Sequence, residues 1–365
     1  MTAFIPGLEL SRRFYHEAVR PILDAHYPAL SYAAALVGYG SDVLGFDTEM
    51  SRDHEWGPRG YIFLRDEDAD LASSIHATLR ERLPHEFLGY PVDFAATDVE
   101  PHVQRMQSAS AGPVNHRIYV EPLSAWAKRV LAYEPDDPLT PADWLTFASQ
   151  RLLEVTAGAV FHDNVGDLTA FRARLAWYPH DVWLYLLACG WQRIGQEEHL
   201  MPRAGYVGDE LGSALIGSRL VHDVMSLCFL MEKQYAPYPK WFGTAFSRLA
   251  CAPDLTPALW RAQRAETWHE RQAALVEAFA LLAQRHTALS LTPPLPTDVT
   301  FFFGRPFKVI WGSAFADALR AQISDPKMRR IAERGLIGSI DQFSDSTDLR
   351  SSPQWRAALR SLYVL

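Results

Sequence analysis

After Leu123 the hydrophobic pattern changes period, and that change constrains the fold more than any single motif. Before it, short apolar runs alternate with helical stretches. Tyr32-Ala-Ala-Ala-Leu-Val-Gly38 and Gly60-Tyr-Ile-Phe-Leu64 read as buried strands, with further strands expected from Tyr90 to Ala95 and from Arg117 to Glu121. Leu10, Phe14 and Ala18, spaced four apart, give one apolar face to a helix between Leu8 and Tyr27, which Pro21 is expected to kink or end early. Residues 67–83 read as a second helix. Beyond Leu123 helical periodicity dominates from Asp143 to His286, with apolar faces at 144–158, 181–195, 211–234 and 257–285. The tail from Pro294 to Leu365 adds the strand-like Thr300-Phe-Phe-Phe303 and more helices. The fold class is therefore α+β. A mixed-sheet α/β domain is expected at 1–125 and a helical domain at 126–365, a bundle with its tail packed back. Tyr133-Glu-Pro-Asp-Asp-Pro138 is the candidate linker.

Charge narrows the partners. The chain of 365 residues has 35 basic and 43 acidic side chains, a net charge of −8, so it has no background attraction for nucleic acid. Three cysteines, Cys189, Cys228 and Cys251, are too few and too scattered for a disulfide scaffold or a cysteine-rich zinc site. No apolar signal core opens the chain and no run of 18 uncharged apolar residues interrupts it, so a soluble, cytoplasmic protein without a membrane partner is expected.

The segment richest in chemistry is Gly38-Tyr-Gly-Ser-Asp-Val-Leu-Gly-Phe-Asp-Thr-Glu-Met-Ser-Arg-Asp-His-Glu-Trp-Gly57. A strand runs into Gly40-Ser41, where backbone N–H groups at a helix start can hold phosphate oxygens. Asp53 and Glu55, two apart on a strand, would point their carboxylates to one face and suit Mg²⁺. Asp47 and Glu49 repeat that spacing. Five carboxylates (Asp42, Asp47, Glu49, Asp53 and Glu55) would repel one another, which calls for a bound cation. Arg52 and Arg59 flank them, either to reach phosphate or to balance charge.

Gly40-Ser41, a gap, then Asp53-x-Glu55 resembles the nucleotidyltransferase superfamily of the polymerase-beta type, which includes the kanamycin- and lincosamide-modifying enzymes. His54 and Trp56 stand where that pattern usually has apolar residues. The wording from Ser41 to Arg59, at Tyr235–Gly243 and at Gly335–Phe343 is similar to a bacterial group that pairs this domain with a helical C-terminal domain of unknown function. The resemblance implies Mg²⁺-dependent transfer of a nucleoside monophosphate, AMP from ATP, onto a hydroxyl of a small molecule, in a cleft between the domains. It assigns the triphosphate to Gly40 and Ser41, aided by Arg52, Arg59, Lys233 and Lys240, and the metals to Asp53, Glu55 and Asp93, with Glu121 the rival to Asp93. A general base in the helical domain would be Glu197 or Glu198, with Asp209 and Glu210 competing. Other readings are modification of RNA ends or of a protein partner, and a catalytically silent nucleotide-binding module.

Several polar groups have plainer readings beside sharper ones. Arg193 and His199, six apart, resemble a helical-ribonuclease signature; His162-Asp163 and His222-Asp223 read as helix-end or packing pairs. Arg219, His222 and Asp223, polar groups on an otherwise apolar helix, read alternatively as lining a cleft between the domains. Lys233 and Lys240 read equally as surface residues, and Tyr238, Trp241 and Phe242 as core.

Overall fold

A computed structural model describes residues 4–96 and 103–364. The chain packs as two units, Met1–Pro138 with Arg151–Ala176, and Leu139–Gln150 with Trp177–Leu365. The first carries the strands β1 (Tyr32–Leu36), β2 (Arg59–Leu64), β3 (Glu86–Phe87), β4 (Tyr90–Pro91), β5 (Asp93–Ala96), β6 (Gln104–Gln107), β7 (Arg117–Pro122) and β8 (Ala159–Asp163). Four of them form a mixed sheet in the order β7-β2-β1-β8, with β1 antiparallel to β2 and β8, and β2 parallel to β7. Ala34 faces Ile62, and Ile62 faces Val120. Every residue of β1 and β2 is buried, as strands covered on both faces require.

β8 was not legible as a strand, and it moves the domain boundary. The stretch 144–158, expected as one bundle helix, is divided into Pro141–Thr146 and Ser149–Thr156, and the chain then returns to the edge of β1. Gly158 permits the return. It sits at φ +69, and a Cβ there would lie 2.0 Å from the Leu36 carbonyl oxygen. The first unit therefore extends past 125 and is discontinuous.

Pro21 does not end the N-terminal helix. Gly7–Phe14 continues through a π-helical turn, Tyr15–Val19, into Arg20–His26, where Pro21 falls in the first turn. A widened turn before the proline accommodates its missing N–H. Phe14, Val19 and Leu23 from this helix pack on Ile62, Leu64, Ile75, Leu79 and Ile118 to make the core.

One buried ion pair fixes the connection from β1 to β2. Asp42 and Arg59 are 1% and 2% exposed. Arg59 donates from Nε and Nη2 to the two Asp42 carboxylate oxygens at 2.8 and 2.7 Å, and Nη2 also donates to the Tyr39 carbonyl at 2.7 Å. Removing one partner strands the other's charge in the interior, which typically costs about 3–5 kcal/mol. Arg59→Met and Asp42→Asn should each lower stability to urea by that order. The double variant should lose less than the sum of the two, and additive losses would show that the pair does not act as a unit.

The second unit is helical. Its long helices are His180–Glu197, Glu210–Met231 and Trp268–Ala288, joined by Ala252–Arg264, Gly312–Arg320 and Pro326–Arg334. Gly195 and Gly312 let the first of these meet Gly312–Arg320 closely, since a Cβ on Gly195 would lie 2.5 Å from the Ser313 nitrogen. Among the described residues, Glu210–Met231 is the one helix whose length and composition would let it cross a membrane. Half of its apolar window is buried against neighbouring protein.

Candidate functional site

The turn after β1 is built by two glycines. Gly38 lies at φ +92 and Gly40 at φ +129, conformations that side chains rarely adopt. A Cβ on Gly40 would also meet Asp42 Oδ1 at 2.3 Å and Arg59 Nη2 at 2.4 Å. Gly40 then leads into the single helical turn Ser41–Leu44, closed by Gly45 in the left-handed region. Between the glycines, the Tyr39 hydroxyl donates to Glu55 Oε2 at 3.3 Å. The Gly-Ser turn and the Asp-x-Glu segment therefore come together in space. Arg59 is not at hand for a phosphate, because it lies buried beneath the turn on Asp42. Burial pulls its pKa down, but the charge and hydrogen bonds of Asp42 more than reverse that, so it stays protonated.

Asp53 and Glu55 do not lie on a strand. Glu49–Asp53 is a 3₁₀ helix, capped by Thr48 and Ser51 in a reciprocal box, and β2 begins only at Arg59. Asp53 is half-exposed with its Oδ1 2.8 Å from His54 Nδ1. Glu55 takes φ +51, and its side chain turns toward Arg117 of β7, which donates to Oε2, while the Gln104 N–H donates to Oε1 at 3.2 Å. Trp56 explains the irregular backbone. It is 2% exposed, stacks on Phe4 at 5.6 Å, and donates from Nε1 to Asp47 Oδ2 at 2.9 Å. Asp47 Oδ2 also accepts from the Gly7 N–H at 2.7 Å, at the start of the N-terminal helix. Burying an indole at 56 thus takes the segment off the strand path.

The two candidates for a third carboxylate have protein partners as well. Asp93, on β5 and 6% exposed, accepts from the Asn115 N–H at 2.6 Å and from Gln107 Nε2. Glu121, on β7, pairs with Arg129. Of the crowded acids, Asp42, Asp47 and Glu55 are met by the protein itself. Arginine and N–H donors from neighbouring elements already neutralise or satisfy them. Among the described residues no three His, Cys, Asp or Glu side chains gather closely enough to hold a metal ion. With Glu55 on Arg117 and both oxygens of Asp93 taken, this donor set does not fit a Mg²⁺ centre as it stands. Arg52 is exposed, its guanidinium 5.2 Å from the Tyr90 ring centroid.

Residues singled out in the helical unit have local roles. Lys233 sits over Trp183 at 4.4 Å and Lys240 over Trp241 at 5.0 Å. Glu197 pairs with Arg219, Asp209 caps Glu210–Met231 through the Gly212 N–H at 2.8 Å, and Glu210 pairs with Arg271. His199 stacks on Phe302 at 4.4 Å, while Arg193 pairs with Asp223. In the first unit Asp163 caps Asp167–Arg174 through Gly166 and Thr169, a helix-end role as expected.

Glu198 is 4% exposed and accepts from the N–H groups of Ile310 and Gly312 at 2.6 and 3.0 Å. Burial raises its pKa to about 7, against the opposing pull of those N–H groups. Folded protein therefore holds this proton between about pH 4.5 and 7, where the unfolded chain has released it. The linked stability is present at the acid end of that window and is lost as pH rises through 7, by up to about 3 kcal/mol. Urea unfolding at pH 5 and pH 8 should show wild type losing more stability across that interval than Glu198→Gln. Equal losses would place the titration elsewhere.

A family model described as a domain of unknown function (DUF4037) matches residues 144–242. Among solved structures, a nucleotidyltransferase-like protein from Exiguobacterium sibiricum is similar at 12% identity and a TM-score of 0.31, over 78% of this chain and 77% of that one. No curated protein matches the chain.

Proposed function

We propose that the first unit is a nucleotidyltransferase-like module that binds a nucleoside triphosphate, ATP first among them, at the turn Gly38–Leu44 and the segment Asp53–Gly57. The observation that carries this is the Tyr39–Glu55 hydrogen bond, which joins the two halves of the motif. Backbone N–H groups at Gly40 and Ser41 would receive phosphate oxygens, and the exposed Arg52 would add charge. Arg59 serves by holding the turn rather than by touching phosphate. Because the donor set does not fit Mg²⁺ as arranged, the geometry favours nucleotide binding over transfer.

A second reading is Mg²⁺-dependent transfer of AMP to a hydroxyl of a small molecule. One observation favours it: Asp53 is half-exposed, and it stands two residues from Glu55 in the motif order that the resemblance requires. A thermal-shift panel of the four ribonucleoside triphosphates, with and without Mg²⁺, separates the readings. Saturation at a hundred times Kd adds about 2.7 kcal/mol and should raise the melting temperature by on the order of 5 °C. A rise with ATP alone, kept in Asp53→Asn, supports binding without metal. A rise that needs Mg²⁺ and disappears in Asp53→Asn supports a metal–nucleotide site at Asp53, which transfer would require. No rise with any triphosphate overturns both.

A further inference from the structure

A cavity of about 560 Å³ lies wholly within the helical unit, in the size range of small-molecule sites. Its wall includes Asp223, on Glu210–Met231, which is 6% exposed. Asp223 Oδ1 accepts from Arg193 Nε at 3.0 Å, but Oδ2 is buried with no hydrogen-bond partner. A carboxylate oxygen taken from water and given no donor is a deficit that native interiors rarely leave standing. Asp223 lines the cavity, so a rotation of its carboxylate would offer Oδ2 to a donor from outside the chain.

The other lining groups say what kind of donor. Arg193 also gives Nη1 to the Gln342 carbonyl at 2.8 Å, so two of its three guanidinium nitrogens are engaged. Arg350 faces Asp341 at 3.0 Å, and Arg219 faces Glu197 at 2.9 Å. The lining holds three arginines and three aspartates, and because Arg219 is paired with Glu197 outside it, Asp345 is left over. The balance favours a cation over an anion. One wall is aromatic: the His222 ring stacks on Phe242 at 4.9 Å and 22°, and Phe229 lies 5.2 Å from Phe242. Planar cations are well matched to such rings.

We propose that this cavity binds a small organic cation, an amine, amidine or guanidine, whose N–H groups complete Asp223 while its planar part rests on His222 and Phe242. The site is built entirely by the helical unit and does not depend on nucleotide binding by the other. His222-Asp223, which reads from sequence as a packing pair, is on this account part of a ligand site.

The test is calorimetric titration of the full-length protein, without nucleotide, using benzamidine, its neutral analogue benzamide and the anion benzoate. The expected result is that benzamidine binds at least tenfold more tightly than benzamide, with no heat from benzoate. Asp223→Asn should weaken benzamidine at least tenfold. Because that change also loosens Arg193, Ser226→Phe provides a second variant that fills the cavity and leaves the ion pair in place. It should abolish the heat while its melting temperature shows an intact fold. Absence of benzamidine binding, equal binding of benzoate, or affinity unchanged in both variants would overturn the proposal. None of these outcomes bears on the triphosphate panel, so the two readings fail separately.

Discussion

The Asp42–Arg59 pair is the interaction on which the motif segment depends. Asp42 belongs to the turn that leaves β1, and Arg59 is the first residue of β2, so a single bidentate contact closes the ends of two neighbouring strands. The guanidinium also holds the Tyr39 carbonyl, which sets the path of the chain between Gly38 and Gly40. Glycine at 40 is a consequence, since nothing larger fits between the two charged groups. With that carbonyl fixed, the Tyr39 hydroxyl meets Glu55. A buried pair of this kind is a costly way to gain stability, but a good way to define one geometry for a glycine-rich turn.

In the same segment three of the five crowded carboxylates are met by protein groups, each from a different direction. Asp42 is met from the sheet by Arg59, and Asp47 from the N-terminal helix and the indole of Trp56. Glu55 is met from β7 by Arg117 and from β6 by the Gln104 N–H. These partners lie 17, 40, 9, 62 and 49 residues away along the chain, so no local pattern announces them. Repulsion between near neighbours is visible in a sequence; its remedy depends on tertiary contacts.

That difference runs through what was legible. Tyr32–Leu36 and Arg59–Leu64 follow from apolar runs bounded by glycine, and the helical unit follows from 3.6-residue periodicity. Ala159–Asp163 was hidden, because a short apolar stretch after helical residues looks like more helix. The turn at Gly158 and antiparallel pairing along β1 make it a strand. At the candidate site, the meeting of the Gly-Ser turn with Glu55 was legible from motif order. The strand under Asp53 and Glu55 was not, because Trp56 prefers the core over an alternating path. Arg59 was legible as a charge near the motif, but its burial on Asp42 needed the register of β1 against β2. Asp223 stands out, with Arg219 and His222, as a polar group on an otherwise apolar helix, but its unpaired oxygen emerges only when the helices assemble.

The nucleotide site proposed above lies on the segment that the Asp42–Arg59 pair organises. Hydrogen–deuterium exchange of the full-length protein, with and without ATP and Mg²⁺, tests that placement most directly. Slower exchange of amides from Tyr39 to Gly57, with Glu210–Met231 unchanged, is the result it predicts. Protection confined to the helical unit, or exchange unaltered throughout the chain, would contradict it.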